Sequence, residues 1–233
     1  MLAIKLLSLL LISGSAPQDE PILFKGRGFY SRKITTKSPL AQKYYDQGWA
    51  FLYGFNHDEA IRSFTAATKA DPECAMAWWG LAMANGPHVN NSSVPPERET
   101  AGGDAVFMAS SLRHLGTRLE NALIEAGMQR FNSPLKGATL PFDRPTLDKN
   151  FATAMSKVFA KYPNDVDVVI LYAESLMDLQ PWDYWNADGS PKGNTAHITR
   201  LVERALKLNP KHPQACHLAI HAWEASPHPE KAI

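Results

Sequence analysis

A pattern of small and apolar residues running along two successive helices constrains the fold of this chain most strongly. Between Ala41 and Cys74 such residues recur every three or four positions, the spacing that places them on one face of an α-helix. The pattern pauses at Gly54–His57 and resumes until Pro72. Glycine and proline both interrupt helices, because glycine costs backbone entropy and proline lacks an amide hydrogen. The stretch therefore predicts a helical hairpin of 34 residues.

The same pattern returns twice at identical offsets. In the first hairpin, the second helix is marked by Ala60, Phe64, Ala67 and Pro72. Two later sets keep this spacing: Phe151, Met155, Val158 and Pro163, then Ile198, Val202, Ala205 and Pro210. A unit of this size cannot bury its apolar face alone and must stack on its neighbours. The sequence therefore predicts an all-α solenoid, with the following large residues buried between helices: Phe64, Trp78, Tyr172 and Trp223.

The intervals between the repeated prolines exceed whole repeats, which predicts loops within the array. Three segments rich in Pro, Gly or Asn account for the excess: 86–103, 132–145 and 180–193. Between the first two, residues 105–131 provide two helices with a break near Gly116. Two more helices are expected at 166–178 and 213–225. The array is thus predicted to hold about four and a half repeats.

The two ends of the chain differ from the repeats. Residues 1–16 combine Lys5, a short apolar run and small residues before a possible cleavage point, the pattern of a secretory signal. We therefore expect export to the periplasm or the medium, and no membrane span in the mature chain, since the apolar run is too short to cross a bilayer. Residues 17–40 are interpreted as a linker or cap. Residues 227–233 start a further second helix, so we interpret the array as truncated at its C-terminal end.

Charge and cysteine content narrow the classes of function. The chain has 24 Lys and Arg against 23 Asp and Glu and no basic stripe, which argues against a nucleic-acid partner. Cys74 and Cys216 are far apart and form no CxxC motif, so we interpret them as separate thiols. The sequence has no phosphate-binding glycine loop, no G-x-S-x-G elbow and no Cys/His nucleophile pattern.

The first hairpin resembles the tetratricopeptide repeat in its period and in most of its anchor residues. Gln47 departs from the family, which usually has an apolar residue there. The matching residues are Tyr44, Gly48, Phe51, Ala60, Phe64, Ala67 and Pro72. The resemblance implies a right-handed α-solenoid that binds a protein or peptide partner in a concave groove lined by the first helix of each hairpin.

The resemblance also places particular residues on the groove. It implies an aromatic start and an end rich in imidazole and carboxylate groups. The expected partner-binding residues are Tyr45, Trp49, Trp79, Met83 and Glu174. The corresponding positions of the last helix are His217, His221 and Glu224.

His217, His221 and Glu224 also suggest an alternative function. Their spacing puts two imidazoles and a carboxylate on one helical face, and these are ligand types of open Zn, Cu or Fe sites. Glu174 would add a further oxygen. The motif is not that of a zincin, because Leu218 stands where the general-base glutamate is required. The alternative is a metal-dependent enzyme or metal-handling protein; otherwise these are ordinary groove residues.

Three further segments resemble a group of secreted bacterial tetratricopeptide proteins. They are His221–Pro227 (His-Ala-Trp-Glu-Ala-Ser-Pro), Trp78–Gly80 and Asp178–Asp183. The resemblance implies export and further histidines beyond this sequence, but supplies no substrate. The aromatic run at 182–185 is expected to cover a hydrophobic edge. His88 is interpreted as a solvated loop residue, and no role is assigned to the following histidines: His57, His114, His197, His212 and His228.

Overall fold

A computed structural model describes residues 22–26, 28–132 and 143–232 of the chain. The predicted signal at 1–16 and most of the loop at 132–145 therefore lie outside the described residues. Within them the chain forms nine α-helices and two short 3-10 helices, without a β-strand. The α-helices are α1 (Pro39–Tyr53), α2 (His57–Ala70), α3 (Ala75–Ala84), α4 (Pro96–Leu112), α5 (Arg118–Gly127), α6 (Arg144–Lys161), α7 (Val166–Met177), α8 (Thr195–Leu208) and α9 (Pro213–Trp223). The 3-10 helices are Arg113–Leu115 and Pro229–Ala232.

The helices are arranged as successive hairpins. Helix α1 packs on α2, α3 on α4, α5 on α6 and α7 on α8, while α9 packs against α8 and the last 3-10 helix. Four hairpins and one further helix agree with the predicted four and a half repeats, and the predicted all-α, TPR-like solenoid is confirmed. None of the helices in the described part of the chain is long and apolar enough to cross a membrane.

Local sequence signals explain where most helices begin. The side chains of Ser38, Thr117, Asp143 and Asp165 each accept a hydrogen bond from the backbone amide three residues further on. These N-caps satisfy amides that have no partner inside the helix. One loop prediction was too long. Helix α4 already starts at Pro96 within the predicted loop at 86–103, because proline fits the first turn of a helix and fixes its backbone angle.

Phe64 holds the first two hairpins together. Its side chain is fully buried and lies against Gly48 of α1 and Gly80 of α3, where an added Cβ would be 2.6 Å and 2.4 Å from the ring. Only glycine allows so close an approach. Tyr172 and Trp223 are also buried as predicted, whereas Trp78 is only partly buried and donates from Nε1 to the carbonyl of Pro72 at 3.0 Å.

The described residues between 22 and 38 pack along the repeats. Gln47 of α1 explains part of this contact. Its Oε1 accepts from the amide of Phe24 at 2.9 Å, and its Nε2 donates to the carbonyl of Ile22 at 3.0 Å and to Oγ of Ser63 at 3.1 Å. Both polar atoms of the Gln47 side chain therefore have hydrogen-bond partners. The residue that departs from the repeat pattern pairs two backbone groups that would otherwise lack partners.

Candidate functional site

The first helices of the hairpins face each other across the inner side of the array, and this inner face is packed rather than open. Helix α1 contacts α9 as well as α3. Tyr45, Trp49, Trp79 and Met83 are 0%, 2%, 1% and 6% exposed. This corrects the expectation that these four residues line an open groove. Their aromatic rings fill the inner face themselves, with Trp49 and Trp79 5.3 Å apart, because burial of large aromatic surface stabilises the closed arrangement.

The inner face contains a cluster of polar residues that we call the Asp167 cluster: Tyr30, Arg32, Tyr53, Asp167 and His212. Oδ1 of Asp167 accepts from the hydroxyl groups of Tyr30 and Tyr53, both at 2.8 Å, and from Nε2 of His212 at 3.0 Å. Its Oδ2 accepts from Nη1 of Arg32 at 2.6 Å. Every oxygen of this buried carboxylate is therefore partnered, as burial of a charge requires.

The electrostatics of the Asp167 cluster follow from these contacts. Burial alone would raise the pKa of Asp167, but the hydrogen bond from His212 and the charge of Arg32 outweigh it and hold the pKa well below its usual range. His212 is also the N-cap of α9, where Nδ1 accepts from the amide of Ala215 at 3.3 Å. Nδ1 thus acts as acceptor, so the proton on Nε2 is the one donated to Asp167.

A second group adjoins the Asp167 cluster through Tyr53, the last residue of α1, whose carbonyl oxygen lies 2.7 Å from Nδ1 of His217. Here four imidazoles surround one phenylalanine, and we call this group the imidazole cluster: Phe55, His57, His88, His217 and His221. The ring of Phe55 lies 5.0 Å from that of His88, 4.3 Å from that of His217 and 6.0 Å from that of His221. His57 and His88 stack with centroids 4.1 Å apart. Burial lowers the pKa of His88 to about 4, and the neighbouring His57 and Arg130 add to this effect.

His217 and His221 meet edge to edge instead. Nε2 of His217 lies 3.2 Å from Nε2 of His221. The other ring nitrogen of each residue has its own partner: Nδ1 of His217 lies 2.7 Å from the carbonyl oxygen of Tyr53, and Nδ1 of His221 lies 3.2 Å from Oε1 of Glu224. Glu224 is therefore on the opposite side of the His221 ring from His217.

This arrangement differs from the three-ligand metal site expected from the sequence. His217, His221 and Glu224 do not converge on one point, because Glu224 is only three residues beyond His221 and reaches its near ring nitrogen. In the part of the chain that the structure describes, no three His, Cys, Asp or Glu side chains are placed to hold one metal ion. Glu174, expected to add an oxygen, lines a small inner cavity with His57, His88 and Arg130.

That inner cavity adjoins a buried group of charges. Its volume is about 20 Å³, enough for about one water molecule. Nη2 of Arg130 donates to the carbonyl of Pro87 at 2.6 Å and to Oδ2 of Asp178 at 3.1 Å. Burial raises the pKa values of Glu174 and Asp178 despite the opposing charge of Arg130. Nε of Arg130 and Oδ1 of Asp178 have no hydrogen-bond partner among the described residues.

Two aromatic residues in strained backbone conformations border the imidazole cluster. Phe55 and Trp182, with φ of 56° and 64°, are the non-glycine residues with positive φ in the described chain, and both rings contact His221, at 6.0 Å and 4.8 Å. Such strain collects at functional sites. Trp182 is 52% exposed. The aromatic run at 182–185 thus covers an edge only in part, through Trp185, which packs on Trp223.

The sequence comparison agrees with the first part of this architecture. Residues 45–85 match the family model described as tetratricopeptide repeat, a span that contains most of α1, all of α2 and all of α3. Comparison with curated proteins finds no match to the chain. The remaining hairpins are recognised by their structure and spacing.

Several residues of both clusters carried no recognised sequence signal. The sequence indicates no role for His57 or His212, and it places Phe55 in the break between the first two helices. His212 stands directly before Pro213, the first residue of α9, so its position at a helix start was a usable signal for a capping role. The convergence of Phe55 with histidines from three other segments depends on tertiary packing alone.

Proposed function

We propose that this chain is a scaffold that binds a protein partner. Two findings support the proposal: the described residues form a helical solenoid, and residues 45–85 match the tetratricopeptide repeat, whose members generally mediate protein–protein interactions. Stacked helical repeats present extended surfaces suited to binding another chain.

The observation that carries the proposal further is the exposed ring of Trp182 beside the imidazole cluster. It is unusual for a side chain as apolar as that of Trp182 to be half exposed on a strained backbone. Tryptophan is enriched among the residues that dominate binding energy. The ring of His221 lies 4.8 Å from that of Trp182, and Glu224, whose side chain is 43% exposed, contacts His221 and offers a polar group.

We therefore place the binding surface around Trp182 and Glu224, both of which are exposed, with the mostly buried His221 in contact with each of them. The partner would be a peptide segment that packs an apolar or aromatic side chain on Trp182. Tyr45, Trp49 and Trp79, which the sequence suggested as direct contacts, would support this surface from within. Glu174 would keep its predicted place on the inner face.

A second part of the proposal concerns location. Residues 1–16 resemble a secretory signal, so we propose that the scaffold acts in the periplasm or outside the cell. N-terminal sequencing of the protein recovered after expression in a bacterial host tests this directly. Cleavage near residue 16 supports export, and an intact Met1 in the cytoplasmic fraction contradicts it.

The binding proposal is tested with peptides selected from a random library on the wild-type protein. We expect selected peptides to share an apolar or aromatic residue, and Trp182→Ala to weaken their binding by about 30-fold, since a central anchor contributes about 2 kcal/mol. Leu115→Ala is the matched control, because Leu115 is 41% exposed elsewhere on the array. Failure to select peptides, or equal binding by both variants, would contradict the proposed surface.

A further inference from the structure

We infer that His217 and His221 form a two-imidazole binding site for a divalent transition-metal ion, with Zn²⁺ fitting its geometry best. The ion would be held by Nε2 of both residues. This site goes beyond the proposed scaffold function and does not depend on it. It also differs from the three-ligand site suggested by the sequence, because Glu224 contacts a ring nitrogen rather than the ion.

The hydrogen-bond partners define the protonation of both rings. Nδ1 of His217 faces the carbonyl oxygen of Tyr53, which only accepts, so this nitrogen carries the proton. Nδ1 of His221 faces the carboxylate of Glu224, which also accepts. In the neutral imidazoles both Nε2 atoms then carry no proton and present a lone pair. The two atoms lie 3.2 Å apart. Two facing lone pairs repel unless a positive ion or proton lies between them.

The separation of the two nitrogens fits a shared metal ion. Two nitrogen ligands about 2.0–2.1 Å from a tetrahedral Zn²⁺ lie about 3.3–3.4 Å apart, close to the observed 3.2 Å. Neighbouring ligands of a square-planar ion would lie about 2.8–3.0 Å apart. Two histidines four residues apart on a helix are also a recurrent way to bind zinc.

The surroundings resemble the outer shell of known metal sites in their chemistry. A metal-bound histidine almost always donates its second ring N–H to a carbonyl or carboxylate, which fixes the ring and strengthens the ligand. The carbonyl of Tyr53 and the carboxylate of Glu224 occupy these positions. With two protein ligands, the remaining coordination positions are open to water or to a group from a bound molecule beside Trp182.

The other imidazole pair shows what a non-binding arrangement looks like. His57 and His88 stack with an angle of 23° between their rings. Lone pairs of imidazole lie in the ring plane, so stacked rings do not direct them at a common point. Nδ1 of His57 is also taken up by the carbonyl of Phe55 at 3.1 Å. The inference therefore applies to His217 and His221 alone.

The test is calorimetric titration of the metal-stripped full chain with Zn²⁺ near pH 7.5. We expect one ion per chain for the wild type, and loss of binding in His217→Ala, His221→Ala and the more conservative His221→Asn. His114→Ala, at an exposed histidine, is the control and should bind as the wild type does. Glu224→Gln should weaken binding by about 10- to 100-fold, the usual effect of losing an outer hydrogen-bond partner. Circular dichroism verifies that each variant is folded.

Nitrogen NMR of the imidazoles separates the metal site from its competitors. Zn²⁺ should shift the Nε2 resonances of His217 and His221 and leave both Nδ1 atoms protonated. If Zn²⁺ does not bind, or if it binds the wild type and His221→Asn equally well, the two nitrogens share only a proton. If Glu224→Gln loses Zn²⁺ binding as completely as His221→Asn does, Glu224 is itself a ligand and the two-imidazole assignment is overturned. None of these outcomes bears on peptide binding at Trp182, so the two proposals fail separately.

Discussion

The Asp167 cluster and the imidazole cluster both join α1 to α9, but their polar atoms are partnered in different ways. In the first, both oxygens of Asp167 accept hydrogen bonds from buried donors on three separate segments. In the second, Nε2 of His217 and Nε2 of His221 face each other, and neighbouring buried atoms of Arg130 and Asp178 lack partners. Each unsatisfied buried group in a folded protein requires its own explanation.

The backbone shows the same contrast. The residues of the Asp167 cluster have no positive φ, whereas Phe55 of the imidazole cluster and Trp182 beside it do. A left-handed conformation costs a non-glycine residue about 1–2 kcal/mol. We conclude that the Asp167 cluster stabilises the closure of the array, and that the imidazole cluster gives up stability beside the surface where we propose binding.

The largest expected effect separates the two clusters by stability. Asp167→Ala should lower the free energy of unfolding by about 3–5 kcal/mol, because it leaves the largely buried Arg32 with Asp165 as its remaining partner. It also removes the acceptor of the hydroxyl groups of Tyr30 and Tyr53 and of Nε2 of His212. Asp183→Ala is the control: Asp183 is exposed and pairs with Lys192, and a surface pair contributes about 1 kcal/mol or less. Urea unfolding measures both. A loss below about 1 kcal/mol for Asp167→Ala would remove the stabilising role of its cluster.

A smaller effect concerns pH. The folded state lowers the pKa of Asp167 below its unfolded value of about 3.9, so its contribution is fully present above pH 4 and is lost only as pH falls through the folded pKa. The folded pKa of Asp178 is raised. At pH values between its unfolded and its folded pKa, this carboxyl group is therefore protonated in the folded chain and ionised in the unfolded chain. Stability from Asp178 therefore grows as pH falls through its folded pKa, by at most about 1.4 kcal/mol per pH unit.

The difference in the free energy of unfolding between the wild type and Asp178→Asn isolates this group, because contributions common to both proteins cancel. Between pH 7.5 and pH 5, this difference should move in favour of the wild type. Urea unfolding at several pH values measures it. A constant difference for Asp178→Asn would mean that its carboxyl group is ionised in the folded protein like any surface carboxylate.

The sequence predicted the repeats better than the site, for a physical reason. Helical spacing and the glycines and prolines between helices are local signals, so the hairpins and the break at Gly116 could be read directly. The closure of the inner face depends on α1 meeting α9, a contact between residues far apart in sequence. That contact brings Tyr53 to His217, which no local pattern predicts.

The most direct test of the division between the two clusters exchanges one histidine in each for asparagine. His212→Asn keeps a good helix cap but loses the hydrogen bond to Asp167, so it should reduce the free energy of unfolding by about 1–3 kcal/mol and leave Zn²⁺ binding unchanged. His221→Asn should abolish Zn²⁺ binding and change stability by less than about 1 kcal/mol. Calorimetric titration and urea unfolding of both variants provide the comparison. If the two substitutions altered stability and Zn²⁺ binding alike, the assignment of the Asp167 cluster to stability and of the imidazole cluster to function would be contradicted.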